Sequence, residues 1–222
     1  MKHIIKILLA ILLIIMPLVI IITSIRIALT PMFVNVEYQL PGFPADDYGF
    51  TTEDRLVWSR FSINYLLGRV SHEELVNQRL PDGTPLFNAR ELDHMLDVQI
   101  LTAMVLRFWR ILLIYLLAIL TLSWRSGMLN NFFIAAKRGA QITILLILGI
   151  LFYLSINFNQ LFNQFHQLFF EGDSWLFLLS DNLIRLFPLR FWRDLFIFIG
   201  GLSLALSVLL ISIKQKNLFD KK

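Results

Sequence analysis

The sequence predicts an all-α integral membrane protein with four transmembrane helices. A small, mostly helical extracytoplasmic domain is expected between helices 1 and 2, and an aromatic interfacial loop between helices 3 and 4. Three observations carry this. The chain has a mean hydropathy of +0.67 with 57% hydrophobic and only 16% charged residues, too apolar for a water-soluble domain. It holds four apolar runs near the length of about 20 residues that crosses roughly 30 Å of hydrocarbon. Its basic residues are also sorted by segment in the way that short cytoplasmic loops retain them.

The first run, about 5–28, follows Lys2 and Lys6 in the order of a secretory signal peptide. It is too long for the apolar region of one, and 24–32 offers no small-x-small cleavage pattern. It is therefore expected to remain as the first span. The second span, about 100–122, carries Arg107 and Arg110 in its first half, ahead of an uncharged stretch from Ile111 to Leu122. The third and fourth are expected over about 141–158 and 195–213.

Orientation follows from the short basic segments. Residues 1–6, 124–140 and 214–222 hold Lys2, Lys6, Arg125, Lys137, Arg138, Lys214, Lys216, Lys221 and Lys222 against the single acid Asp220. Every lysine is in that set, so both termini of the multi-pass chain are expected in the cytoplasm. The insert 31–98 and the loop 159–194 carry more acids than arginines and face outward. The pI of about 9.5 thus reflects topology, and no nucleic acid is expected as a partner.

Within the insert, Phe33-Val-Asn-Val-Glu-Tyr38 alternates like a short strand and breaks at Pro41, Gly42 and Pro44. Thr51 or Thr52 can cap a helix running to Gly68, Ser71-His-Glu-Glu74 is a capping box for another, and Pro81-Asp-Gly-Thr84 is a turn. No Gly or Pro interrupts 88–122, so one helix is expected from Asn88 through the second span. Loop 159–194 is so dense in Phe and Trp that it is expected to lie on the bilayer as a lid.

The residue inventory narrows the chemistry. Cysteine is absent, which removes thiolate nucleophiles, thiolate metal sites and disulfides. No glycine-rich phosphate loop, G-x-S-x-G elbow or H-E-x-x-H pattern occurs, so no nucleotide is expected. Of four histidines, His94 and His166 fall at the outer interface near carboxylates. Three readings stay open on spacing alone: aromatic-belt residues with a polar tip, an acid/base pair, or two metal ligands completed by Glu91, Asp97 or Asp173. Arg107 either faces a polar ligand or snorkels to lipid phosphates.

Three runs carry a resemblance: Phe87-Asn-Ala-Arg-Glu-Leu-Asp-His-Met-Leu-Asp-Val98, Phe165-His-Gln-Leu-Phe-Phe-Glu-Gly-Asp-Ser-Trp-Leu-Phe177 and Asp181-Asn-Leu-Ile-Arg-Leu-Phe-Pro-Leu-Arg-Phe-Trp192. The chain resembles the lipoprotein intramolecular transacylase family of bacterial four-span membrane proteins throughout its length. Most specific are the H-M-x-D-V and F-F-x-x-D-x-W runs. The resemblance implies an acyltransferase acting on diacylated bacterial lipoproteins at the membrane lipid. It moves the sn-2 acyl chain of the diacylglyceryl-cysteine onto that cysteine's α-amine, leaving the N-acyl, S-monoacylglyceryl lyso-form. It also implies His94 and His166 as the catalytic pair. Glu91, Asp97, Arg107, Asp173 and Trp175 are the expected substrate-binding residues, and neither metal nor other cofactor is expected. The competing expectations are a non-enzymatic membrane accessory subunit and a metal-dependent lipid hydrolase.

Overall fold

An uncharged run from Ile7 to Ser24 leaves the backbone no partner but itself in lipid, and the chain answers with helix. In the computed structural model, which describes residues 2–213, α1 runs Lys2–Ala28 straight through Pro17. Three more helices are long and apolar enough to cross a membrane: α5 (Ala89–Arg125), α6 (Leu129–Ile156) and α9 (Leu189–Ser212). Short helices fill the intervals: α2 (Pro31–Glu37), α3 (Thr52–Leu66), α4 (His72–Val76), α7 (Phe158–Phe169) and α8 (Asn182–Leu186). Among the described residues there is no strand. Lys214, Lys216, Lys221 and Lys222, part of the charge argument, lie outside the described residues.

The chain divides into two compact units, the first made from the described parts of 1–25, 107–152 and 199–222. Its core sets Leu9, Leu12 and Met16 of α1 against Ile119, Phe132 and Ala136. Small and hydroxylated side chains supply the close approaches that helices need where lipid gives no hydrophobic drive. Ser203 donates to Ser24 at 3.0 Å, Trp109 Nε1 to Thr23 at 3.0 Å, and Tyr115 to the Leu8 carbonyl at 2.7 Å. A Cβ added to Gly139 would come within 2.9 Å of the Leu13 carbonyl. α6 begins well before the expected 141, because Phe132, Ala135 and Ala136 bury one face of a helix already formed there.

The second unit comprises Arg26–Leu106 and Tyr153–Phe198. Here one expectation fails: 33–38 is helix, not strand. Pro31 suits the first helical position. Val34, Glu37 and Tyr38 are the buried positions, a spacing of three and four that six alternating letters could not reveal. Packing decides it, since Phe33 lies 5.6 Å from Phe191 and 5.2 Å from Phe198 between ring centroids. Tyr38 then ties three elements, with its hydroxyl 2.7 Å from Ser59 of α3 and donating to the Leu186 carbonyl of α8. Thr51 and Ser71 form reciprocal capping boxes with Asp54 and Glu74. The turn at 81–84 is closed by Leu80 N–H to the Thr84 carbonyl at 2.8 Å, with Gly83 at φ +84.

The segment 159–194, expected as a loop, contains α7 and α8. Asn157 starts α7 by accepting Gln160 N–H at 3.1 Å. Phe158, Phe162, Phe165 and Phe169 then recur at three and four, the period of one helical face.

Glu37 is 2% exposed and lies close enough to feel the Asp194 carboxylate, which pairs with Arg190 at 3.1 Å and Arg193 at 3.0 Å. Burial first, and the Asp194 carboxylate next, push the Glu37 carboxyl up to about 7. A raised folded-state value means stability fully present below pH 4.5 and lost as pH rises through 7. Thermal unfolding in detergent should therefore show a midpoint that falls over that window. Glu37→Gln should flatten the fall; an unchanged slope would refute the raised Glu37 value.

Candidate active site

His94 lies on the second turn of α5 and His166 on the third turn of α7. Both belong to the second unit, and both rings are buried, at 7% and 8% exposure. Their centroids are 6.2 Å apart with planes 25° from parallel. Aromatic rings enclose them. Phe170 sits 4.9 Å from His94 and 5.7 Å from His166, and Phe177 is 5.3 Å from His94. Trp175 stacks on His166 at 4.8 Å, and Phe162 lies 4.2 Å from it. The box forms because the chain reverses after α7 at Gly172, whose φ is +57. Trp175 Nε1 donates to the Gly172 carbonyl at 3.1 Å, which fixes the ring.

The two imidazoles have different hydrogen-bonding environments. His166 Nδ1 is 2.8 Å from the Phe162 carbonyl. A carbonyl only accepts, so Nδ1 carries the proton and Nε2 keeps its lone pair. Burial holds the His166 ring below its ordinary pKa, although the same hydrogen bond works in the opposite direction. His94 Nδ1 is buried with no protein partner. A buried polar atom left so is costly, and it marks a place where a bound molecule can supply the missing bond.

An open cleft of about 470 Å³ borders the box, lined by Asp97, Ile100, Leu101, Met104, Phe169, Phe170, Glu171 and Ser174. Phe170 is its shared wall with both histidines. The remaining candidates are scattered. Asp97 is exposed in the cleft lining, and Trp175, 8% exposed, backs the His166 ring. Asp173 is exposed, and its backbone carbonyl accepts Arg90 at 2.7 Å. Arg107 is exposed and belongs to the first unit. Glu91 is 1% exposed, its carboxylate occupied by the N–H groups of Asn88 at 2.7 Å and Leu183 at 2.6 Å. Both oxygens are taken by backbone, so Glu91 does not face the cleft. Among the described residues no three His, Asp or Glu side chains are placed to hold a metal ion.

The family model for lipoprotein intramolecular transacylase Lit matches residues 10–192. The chain belongs to the lipoprotein intramolecular transacylase family. Membership makes it a transacylase of lipoprotein maturation. An uncharacterised protein of Aquifex aeolicus is 33% identical over 211 residues, covering 93% of this chain and 92% of that one. The fold is that of the membrane-integral Lit of Bacillus cereus, with TM-score 0.73 at 15% identity over 96% of this chain and 94% of that chain. A Bacillus cereus Lit variant with one histidine replaced by arginine matches at TM-score 0.64 and 16% identity, over 95% and 90% of the two chains.

Proposed function

We propose that the chain moves the sn-2 acyl group of a diacylglyceryl-cysteine lipoprotein onto the free α-amine of the same cysteine, with His94 and His166 as its catalytic groups. The observation that carries this is the meeting of the two histidines in one buried box, one with a free lone pair and the other with a nitrogen lacking any partner.

The α-amine of a peptide has a pKa of about 8, so a neutral fraction is present at pH 7. Its nitrogen attacks the ester carbonyl carbon. His166 Nε2 takes the proton released as the C–N bond forms. Charge gathers on the carbonyl oxygen, where a protonated ring nitrogen of His94 donates to it in a site from which aromatic rings exclude water. The carbon–oxygen bond to the glyceryl sn-2 position then breaks, and His166 returns its proton to the departing alkoxide. Ester and amine become alcohol and amide with no atom lost. Nucleophile and ester belong to one molecule, so proximity supplies much of the rate. The product amide is the more stable linkage, and no nucleotide is needed.

The basic short segments support an orientation with both termini in the cytoplasm and the dyad at the outer leaflet. Leu168, Phe169, Leu178 and Leu179 are exposed. They suit segment 159–194 to lying at the headgroup level over the apolar cleft, where the acyl chains arrive.

The test is mass spectrometry of a lipoprotein N-terminus from cells with and without this chain. N-acyl, S-monoacylglyceryl cysteine only in its presence is the expected result, and an unchanged diacylglyceryl cysteine with a free amine would overturn it. A pH–rate profile adds a second prediction. The substrate α-amine sets one acid limb near about 8. Because His166 must also be neutral and its pKa is lowered, a second acid limb should appear below the ordinary histidine value of about 6.5. A second limb at or above that value would contradict His166 as the base.

A further inference from the structure

The dyad is held at its far side by residues the proposed chemistry does not use. An ordinary capping box leaves one carboxylate oxygen to water. Glu91 keeps none exposed. Its Oε2 accepts Asn88 N–H at 2.7 Å, closing the start of its own helix, and Glu91 N–H returns a bond to Asn88 Oδ1 at 3.0 Å. Its Oε1 accepts Leu183 N–H at 2.6 Å, closing the first turn of α8, 92 residues away. One carboxylate therefore serves the orphan amides of two helix starts. Neighbouring side chains repeat the stitch. Asn182 Nδ2 donates to the Leu86 carbonyl at 2.6 Å, and Asn88 Nδ2 to Asp181 at 3.3 Å.

What this stitch holds is the box. His94 follows Glu91 by three residues, so the two share a helix face. His166 sits on α7, and the chain between α7 and α8 carries Phe170, Trp175 and Phe177, the rings that touch the dyad. The anchoring of α8 fixes the far end of that connection, and Arg90 grips its middle through the Asp173 carbonyl and lies 5.5 Å over the Phe177 ring.

We infer that Glu91 is a positioning residue for the transacylation, its carboxyl group fixing the aromatic wall of the dyad against the His94 helix without touching substrate. The inference rests on the proposed function for its kinetic arm alone. Glu91→Gln keeps the volume but turns one acceptor oxygen into an NH₂ group, which must then face either Asn88 N–H or Leu183 N–H, donor against donor. The α8 anchor loosens, the wall shifts, and water reaches His166.

The experiment uses the full chain purified in detergent, with histidine ring nitrogens labelled with ¹⁵N for NMR titration. His166 is assigned from its disappearance in His166→Gln. In Glu91→Gln the His166 midpoint should rise toward the ordinary value of about 6.5. The rate on a diacylated lipopeptide should fall about 10-fold or more, since small misplacements of catalytic groups are costly. The loss should fall on kcat more than on KM. Should Glu91→Gln not fold, Asn182→Ala removes the adjoining stitch to Leu86 and should move both readouts the same way by less. A wild-type titration in the variant, with or without a lower rate, overturns the inference, because a substrate contact or loss of folded protein would leave the midpoint alone. A raised midpoint in a chain whose wild-type form transfers no acyl group would keep the positioning role and reject the transacylase chemistry.

Discussion

Replacing His166 with alanine should lower the rate of N-acylation by about 10²- to 10⁴-fold, the usual loss when a general base is removed. His94→Ala should behave alike through the missing oxyanion donor. The double variant should be little worse than either alone, since groups that act as a unit are not additive. The sequence places both histidines at the outer interface, where substitutions outside a core usually cost little stability. The structure corrects this: both rings are more than nine-tenths buried among Phe162, Phe170, Trp175 and Phe177. Truncation leaves a cavity, for which loss of a buried Phe or Trp side chain, about 3–5 kcal/mol, is the upper bound. His94→Gln and His166→Gln keep a polar side chain of similar reach and should be compared at equal folded amounts. Full conversion by the double glutamine variant would remove both residues from the mechanism and favour the accessory-subunit reading.

Trp175→Ala should reduce the rate next most, by about 10²-fold, although the indole is not proposed to touch a reacting atom. Its ring is stacked on His166 at 4.8 Å with planes 28° apart, and it keeps water from the buried imidazole. Without it the ring can tilt away from the substrate, and a displacement of about 1 Å is enough for a loss of that size. Trp175→Phe retains a planar wall but not the bond to Gly172, so it should recover most of the activity. Steady-state rates of the three proteins decide the matter. Equal rates for wild type and Trp175→Ala would show that His166 needs no backing.

Which parts were legible depends on where each signal resides. The spans were readable because lipid leaves only helix for a long apolar run, and Asn88 onward because nothing breaks a helix before Arg125. The caps at Thr51 and Ser71 are local, made by residues three apart. The helix at 31–37 was not legible, since its choice over strand is made by Phe191 and Phe198 from the far end of the chain. His94 and His166 stood out in two short runs, but the different hydrogen bonding of their rings did not. That depends on a carbonyl at Phe162, four residues back on a helix where the sequence showed only aromatic density. The partners of Glu91 were hidden for a similar reason. A carboxylate one turn from His94 resembles a substrate contact until Leu183, 92 residues later, is found on its oxygen.

The central claim is that the acyl group moves within one substrate molecule and that nothing leaves. It is tested most directly by incubating the purified chain with two diacylated lipopeptides, one unlabelled and one carrying heavy isotopes in both its peptide and its acyl chains. Fragmentation mass spectra should show N-acylated products of unchanged parent mass, light acyl on light peptide and heavy on heavy, with no hybrids. Hybrid products, or parents lighter by one acyl chain with free fatty acid released, would contradict intramolecular transfer.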